Sequence, residues 1–130
     1  MKKLKGLIIM ILISLSLFGM TACGGENNTY EQITPQEAKT IMDTESEYII
    51  IDARTEEEFS EGHIENAILI PEYEIADRAE KELPDKEQLI LVYCRSGRRS
   101  KIASEELVKL GYTNVKEFGG IIDWPYGIVK

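Results

Sequence analysis

The chain has 130 residues, with 15 Lys and Arg against 23 Asp and Glu, one His, two Cys and a formal net charge of −8. This length predicts a single domain with one core, and the acidic balance disfavours nucleic acid as a partner. One His and two Cys cannot supply the four ligands of a usual zinc site, and they allow at most one disulfide. We therefore expect a small acidic globular domain without a metal.

The chain begins with a short basic stretch followed by an apolar run. Lys2, Lys3 and Lys5 precede an uncharged segment over residues 6–19, which is shorter than the roughly 20 residues that cross a bilayer as a helix. This pattern is typical of a secretory signal peptide, which we assign to residues 1–22. The alternatives are a buried core helix or an uncleaved membrane anchor.

A possible lipid attachment site follows the apolar run. Met20-Thr21-Ala22-Cys23 resembles the lipobox of bacterial lipoproteins, in which the Cys is lipidated and becomes the first residue of the mature chain. Residues 23–30 then form a flexible polar tether. The resemblance implies an extracytoplasmic protein that is lipid-anchored to a bacterial membrane through Cys23. The alternative is ordinary signal-peptide cleavage, which would release a soluble secreted protein.

Removing the signal peptide changes the charge of the domain. Without the three Lys of residues 1–22 the net charge becomes −11, so an anionic membrane surface would repel the domain. Acyl chains on Cys23, rather than basic contacts, would therefore hold it at the membrane.

Residues 31–130 alternate between strand and helix patterns, which is typical of an α/β domain with a mainly parallel sheet. Thr34 with Glu37, and Thr55 with Glu58, carry the capping-box signature of a helix start. Strands are predicted over 48–52, 67–70, 89–93 and 115–118, and the remaining helices over 72–83 and 99–110.

A cysteine and a group of cations lie between the clearest strand and the next helix. Cys94 follows the strand, and the loop after it reads Arg95-Ser96-Gly97-Arg98-Arg99. Ligands in α/β sheets bind outside the carboxyl ends of strands, and a helix N-terminus favours an anion there. These features predict a reactive Cys94 thiolate, whereas the simpler alternative is a buried, inert Cys beside a solvated basic loop.

Four stretches of the chain together resemble the rhodanese (sulfurtransferase) family. They are the loop at 94–100, Asp52-Ala53-Arg54, residues 58–71 with Gly-His-Ile and Ile-Pro, and residues 119–124 with Gly-Gly and Trp. The resemblance implies a rhodanese-like three-layer fold, in which helices flank a mainly parallel sheet of about five strands. Glu65, Asn66 and Leu69 stand where the family often has Pro, Gly and Asn, so the turn at that point can differ.

The family resemblance also implies a mechanism. Cys94 would take sulfane sulfur from a small anionic donor such as thiosulfate, and a thiol or cyanide would accept it from the Cys94 persulfide. Loop N–H groups from about Arg95 to Arg99 would hold the persulfide, and the arginines would steer the donor. No cofactor is implied, and we expect a monomer.

The length of the loop favours sulfur transfer over phosphate chemistry. Four residues separate Cys94 from Arg99, whereas phosphatases and arsenate reductases that share the rhodanese fold have five. The smaller loop suits a single sulfur atom and would crowd a phosphate. A non-catalytic module that binds a partner, or that senses persulfide or oxidant through Cys94, remains a further alternative.

Three other polar residues are candidates for supporting roles. Asp52 and Arg54 could reach the pocket from a neighbouring strand end, although an ion pair that fixes a loop is the simpler interpretation. His63 has no second His or Cys motif nearby, so we interpret it as a hydrogen-bonded turn residue rather than a general base.

Overall fold

The computed structural model describes residues 29–130. The predicted signal peptide, residues 1–22, and Cys23 lie outside the described residues. The strands are β1 (Glu31–Gln32), β2 (Ile49–Asp52), β3 (Ile68–Leu69), β4 (Ile90–Cys94) and β5 (Val115–Gly120). The helices are α1 (Pro35–Thr44), α2 (Glu56–Glu61), α3 (Ile75–Glu82) and α4 (Arg98–Lys109), with short 3₁₀ turns at Glu72–Glu74 and Ile121–Asp123.

The five strands form one parallel sheet in the order β1-β5-β4-β2-β3. The predicted α/β fold is thereby confirmed. The central strands β4 and β2 are almost entirely buried, as expected for a parallel sheet that is covered on both faces. All carboxyl ends of the strands therefore meet at one edge, where β4 ends in Cys94.

Helices cover both faces of the sheet. Ile51 and Val92 point to the side where Ala79 of α3 and Leu107 of α4 complete one core cluster. The other face packs against α1, and its cluster contains the following residues: Ala38, Ile50, Leu91, Tyr93, Phe118 and Trp124. The alternation of Ile50 with Ile51, and of Leu91 with Val92, follows from the two-residue period of a strand.

Both predicted capping boxes are present. The Thr34 side chain accepts a hydrogen bond from the Glu37 N–H at 3.0 Å, and the Glu37 carboxylate accepts one from the Thr34 N–H at 2.9 Å. Thr55 and Glu58 form the same pair of bonds at the start of α2. Each box satisfies backbone donors that the first helical turn leaves without partners.

The structure differs from the predicted elements at two points. β1 was not predicted; it has only two residues, and it joins the sheet edge by backbone pairing with Lys116 and Glu117. The helix expected over 72–83 starts as a 3₁₀ turn and becomes α-helical only at Ile75. At the turn where the sequence departs from the family pattern, Asn66 has φ of 73°, a left-handed backbone that Asn tolerates better than most residues that carry a side chain.

Candidate active site

Cys94 ends β4 and lies at the base of the loop that leads into α4. Its side chain is buried, with a relative exposure of 1%. Gly97 has φ of 112°, a conformation that only glycine adopts readily. This backbone turns the Gly97 N–H toward Cys94, where it donates a hydrogen bond to Sγ at 3.0 Å. One backbone N–H of the loop thus lies against the sulfur atom.

The arginines of the loop differ in what they contact. Arg99 donates two hydrogen bonds to Glu58 of α2, at 2.8 and 3.0 Å, and both side chains are about three-quarters buried. Arg95 and Arg98 are exposed, and within residues 29–130 their side chains form no ion pair. Two of the three arginines are therefore free to meet an anion from solvent.

The Glu58–Arg99 pair also shifts the pKa of both residues. The hydrogen bonds from Arg99, supported by those from Thr55, lower the pKa of Glu58 to about 2. The same bonds to Glu58 raise the pKa of Arg99, and the charges of Glu58 and Cys94 add to the effect. Glu58 therefore does more than complete the predicted capping box, because its carboxylate also anchors the start of α4.

Asp52 and Arg54 form the buried ion pair that the sequence favoured. Arg54 donates to both carboxylate oxygens of Asp52, with a shortest distance of 2.7 Å, and also donates to the Gly62 carbonyl at 2.7 Å. The Tyr93 hydroxyl donates to Asp52 at 2.6 Å and accepts from the Ile64 N–H at 3.0 Å. The network joins the end of β2 to the segment that precedes β3.

Close contact with β5 constrains the back of the loop that follows Cys94. A side chain on Gly120 would place its Cβ 2.0 Å from the Arg95 carbonyl oxygen and 2.5 Å from the Ser96 Cα. The pairing of β4 with β5 is irregular between Val92 and Cys94, which brings Gly120 opposite Cys94. Only glycine leaves room for the loop at this position.

Two residues near the sulfur were not identified from the sequence. Ser100 Oγ lies 3.3 Å from Cys94 Sγ, and its hydroxyl donates to the carboxylate of Glu117 at 2.5 Å. Both side chains are buried. Ser100 follows the loop by one residue and could have been suspected from its position, but no sequence pattern links it to Glu117 on β5.

The remaining candidate residues, Ser96 and His63, make few contacts that bear on Cys94. Ser96 is exposed, and together with Gly97 and Lys101 it lines one side of a cavity of about 400 Å³ that also borders the β1–α1 connection. The His63 ring stacks on Phe59 and its Nδ1 lies 2.9 Å from the Phe59 carbonyl oxygen, which agrees with a turn role. Cys94 is the one cysteine of residues 29–130 and it is unpaired.

Two further properties of the described part of the chain bear on its chemistry. Residues 29–130 hold no group of His, Cys, Asp and Glu side chains arranged to bind a metal ion. Within the same range, none of the helices has the length and apolar character needed to cross a membrane.

Comparison with known proteins identifies the family. Residues 34–124 match the sequence profile of the Rhodanese-like domain. The thiosulfate sulfurtransferase PspE of Escherichia coli K12 is 41% identical over 80 residues, covering 62% of this chain and 77% of PspE. A sulfurtransferase of Allochromatium vinosum is 38% identical over 88 residues, covering 67% of this chain and 79% of its own.

Solved structures agree with the sequence relatives. A rhodanese with anions from E. coli superimposes with a TM-score of 0.60 at 38% identity, covering 64% of this chain and 98% of that one. A rhodanese-related protein from Thermoplasma volcanium superimposes with a TM-score of 0.67 at 31% identity, covering 77% of this chain and 98% of that one. With a five-stranded parallel sheet and Cys94 at its carboxyl edge, the chain belongs to the rhodanese-like domain family, whose relatives include thiosulfate sulfurtransferases.

Proposed function

We propose that this protein transfers sulfane sulfur through a persulfide on Cys94, from a small anionic donor such as thiosulfate to a thiol or to cyanide. The observation that carries the proposal is the position of Cys94 Sγ, at the base of a four-residue loop and 3.0 Å from the Gly97 N–H. A backbone N–H near the sulfur stabilises negative charge on it, both in the thiolate and in the persulfide.

The reaction has two displacement steps. The Cys94 thiolate attacks the outer sulfur of thiosulfate, an S–S bond forms, and the old S–S bond breaks with its electron pair leaving on sulfite. An acceptor thiolate, or cyanide, then attacks the outer sulfur of the Cys94 persulfide, and Cys94 leaves as a thiolate. Neither half-reaction needs a metal or another cofactor.

Burial of Cys94 fits this order of steps. The thiol sulfur is almost inaccessible at 1% exposure, so only a small donor can reach it. Addition of one sulfur atom extends the reactive end by about 2 Å, the length of an S–S bond. The acceptor therefore meets sulfur that lies nearer to the surface than the thiol does.

The exposed cations of the loop support an anionic donor. Arg95 and Arg98 flank the loop without ion-pair partners among residues 29–130, while Arg99 is held by Glu58. In a chain with a net charge of −8, a local cluster of free cations attracts anions that the rest of the surface repels. We assign donor binding to Arg95 and Arg98, and structural support of the loop to Arg99.

We also propose that the domain, residues 31–130, is lipid-anchored outside the cytoplasm through Cys23. The support is the sequence Met20-Thr21-Ala22-Cys23 at the end of an apolar run. The full chain expressed in bacteria should partition into the detergent phase, and Cys23→Ser should partition into the aqueous phase. Equal partitioning of both proteins into the aqueous phase would contradict the anchor.

Sulfur transfer is tested with the full chain purified in detergent. We expect thiocyanate to form from thiosulfate and cyanide, and we expect no hydrolysis of an aryl phosphate. Incubation with thiosulfate alone should add about 32 Da, one sulfur atom, to Cys94. Cys94→Ala should lose both signals, whereas Ser96→Ala, at an exposed position of the same loop, should keep them.

The alternatives give distinct results in the same assays. Turnover retained in Cys94→Ala would disprove the mechanism. Aryl phosphate hydrolysis that depends on Cys94 would instead support a phosphatase. A persulfide that forms on Cys94 without turnover would favour a sensing module.

A further inference from the structure

Three buried side chains form a continuous hydrogen-bonded chain that starts at the reactive sulfur. Cys94, Ser100 and Glu117 have relative exposures of 1%, 0% and 2%. Cys94 Sγ lies 3.3 Å from Ser100 Oγ, and Ser100 Oγ lies 2.5 Å from Glu117 Oε2. Sulfur transfer as described above gives no role to Glu117, although a buried carboxylate is costly unless something compensates its charge.

Within residues 29–130 the Glu117 carboxylate has hydrogen-bond donors but no cation. Besides Ser100, it accepts bonds from the Gly119 N–H at 2.9 Å and from the Gln32 side-chain amide at 3.4 Å. A thiolate on Cys94 and a charged Glu117 would therefore lie one hydroxyl apart, both out of water. Two like charges in that arrangement repel strongly, so the site favours one negative charge at a time.

We propose that Glu117 accepts the proton of the Cys94 thiol through Ser100. The Cys94 Sγ–H proton passes to Ser100 Oγ as the Ser100 hydroxyl proton passes to Glu117 Oε2. Cys94 becomes a thiolate that accepts hydrogen bonds from Ser100 and from the Gly97 N–H, and Glu117 becomes a neutral acid. Protons and charge balance, since the single negative charge moves from carboxylate to sulfur without oxidation or reduction.

This relay deepens the proposed sulfur transfer and rests on it for its biological purpose. During transfer the negative charge stays on sulfur, first in the thiolate and then in the persulfide, while Glu117 keeps the proton. When the acceptor removes the outer sulfur, Cys94 leaves as a thiolate. The proton then returns from Glu117 through Ser100, which restores the resting thiol.

Other titratable and charged groups surround the relay and must be held constant in its test. Glu117 and Glu105 both lie near Tyr30. Burial of the tyrosine, and then the charges of these two carboxylates, raise its pKa. Lys101 and Asp123 line the cavity that Glu117 also borders. The Arg99–Glu58 pair lies close enough for the charge of Cys94 to act on Arg99, and Arg95 and Arg98 are exposed on the loop.

The test measures the rate at which iodoacetamide alkylates Cys94 from about pH 5 to about pH 10, because the thiolate is the reacting form. Proton sharing gives two coupled titrations. We expect the wild-type rate to show a pH-independent shoulder at low pH, where the pair carries one negative charge, before the main rise. In Glu117→Gln the shoulder should vanish, and alkylation at about pH 6 should slow by about tenfold or more.

Two further variants complete the experiment. Ser100→Ala leaves Glu117 in place but breaks the relay, so it should lose the same shoulder even if Glu117→Gln fails to fold. The double variant with Ser100→Ala and Glu117→Gln should alkylate no more slowly at low pH than either single variant. Glu105→Gln is the matched control, since it removes an exposed negative charge from α4 near the same tyrosine, and it should keep the shoulder.

The contrary results are equally clear. If Glu117 only repels the thiolate, Glu117→Gln will alkylate faster than wild type at low pH. If Glu117 is purely structural, Glu117→Gln and Ser100→Ala will alkylate at wild-type rates across the pH range, with or without a shoulder. Either result overturns the relay. Because alkylation needs no sulfur donor, a failure of the relay and a failure of sulfur transfer give separate signals.

Discussion

Glu58 and Arg99 are 41 residues apart in the chain, yet their side chains form two hydrogen bonds that tie α2 to the start of α4. Glu58 also caps α2 through Thr55. One carboxylate thus caps the start of α2 and also holds the start of α4, the helix that follows Cys94. The position of the loop therefore depends on a residue that the family motif around Cys94 does not contain.

The pH dependence of stability tests this pair. The pKa of Glu58 falls from its ordinary value of 4.5 to about 2 in the folded protein. Its contribution is therefore fully present above about pH 5 and is lost as the pH falls toward 2. Because both side chains are partly exposed, we expect the pair to contribute about 1–2 kcal/mol to the free energy of unfolding at neutral pH.

Urea unfolding at about pH 7 and about pH 3 measures the effect. Glu58→Gln keeps the helix cap but cannot form the ion pair, so it should be less stable than wild type at the higher pH, and the difference should shrink at the lower pH, where part of the contribution is already lost. Glu57→Gln changes an exposed neighbour on the same helix and should follow wild type at both values. A constant difference between Glu58→Gln and wild type across pH would contradict the assignment.

The sequence predicted those parts of the fold that local chemistry determines. The capping boxes at Thr34 and Thr55 each lie within four residues, and the buried strands carry continuous apolar runs. β1 could not be predicted in this way, because two residues joined to β5 by backbone bonds leave no side-chain pattern. Its position depends on the neighbouring strand rather than on its own residues.

The candidate site likewise has parts that the sequence predicts and parts that it does not. Cys94 and its loop are contiguous, so their spacing is visible in the sequence. The partners of the loop are not contiguous: Arg99 reaches Glu58 across 41 residues, and Ser100 reaches Glu117 across 17. Such pairs form only when strands and helices pack together, and a single sequence does not show which distant residues this packing brings into contact.

Donor binding can be separated from chemistry at Arg98. Its side chain is exposed and has no ion-pair partner within residues 29–130, so Arg98→Ala should not disturb the loop. We expect the KM for thiosulfate to rise roughly two- to fivefold at low salt while kcat stays near its wild-type value. Added salt should shrink the difference between the two proteins, because it screens exposed charges.

Steady-state kinetics at two salt concentrations provide the measurement. Lys109→Ala removes a cation from the other end of α4, at an exposed position, and serves as the control with unchanged KM. A fall in kcat with constant KM in Arg98→Ala would place this arginine in the chemical step instead.

Gly120 provides a test of the contact behind the loop. In Gly120→Ala the new methyl group would overlap the Arg95 carbonyl oxygen at 2.0 Å, and its nearest neighbours are backbone atoms of Arg95 and Ser96, which cannot rotate aside as a flexible side chain could. We expect the loop to shift, with a loss of about 1–3 kcal/mol in unfolding free energy and a loss of most sulfur transfer. Urea unfolding and the thiocyanate assay measure the two effects.

Gly119→Ala is the matched control for this variant. Gly119 has φ of 93°, so alanine there is strained, but its Cβ would meet no atom within 4 Å. It should therefore lose stability while retaining more activity than Gly120→Ala. Equal activity in the two variants would show that crowding of the loop is unimportant.

The Tyr93 hydroxyl gives a final test, of the network that joins β2 to the segment before β3. It donates to Asp52 at 2.6 Å and accepts from the Ile64 N–H at 3.0 Å. Tyr93→Phe leaves that buried N–H without a partner, which should cost about 1–3 kcal/mol of unfolding free energy.

Asp52→Asn should lower the free energy of unfolding more than Tyr93→Phe does. The neutral amide removes the 2.7 Å ion pair with Arg54 and leaves that buried guanidinium without a counter-charge. Urea unfolding of both variants ranks them, and Tyr73→Phe, at a hydroxyl that is largely exposed, should match wild type. A Tyr93→Phe protein as stable as wild type would mean that water replaces the hydroxyl at Ile64. Asp52→Asn no less stable than Tyr93→Phe would mean that the ion pair contributes little beyond packing.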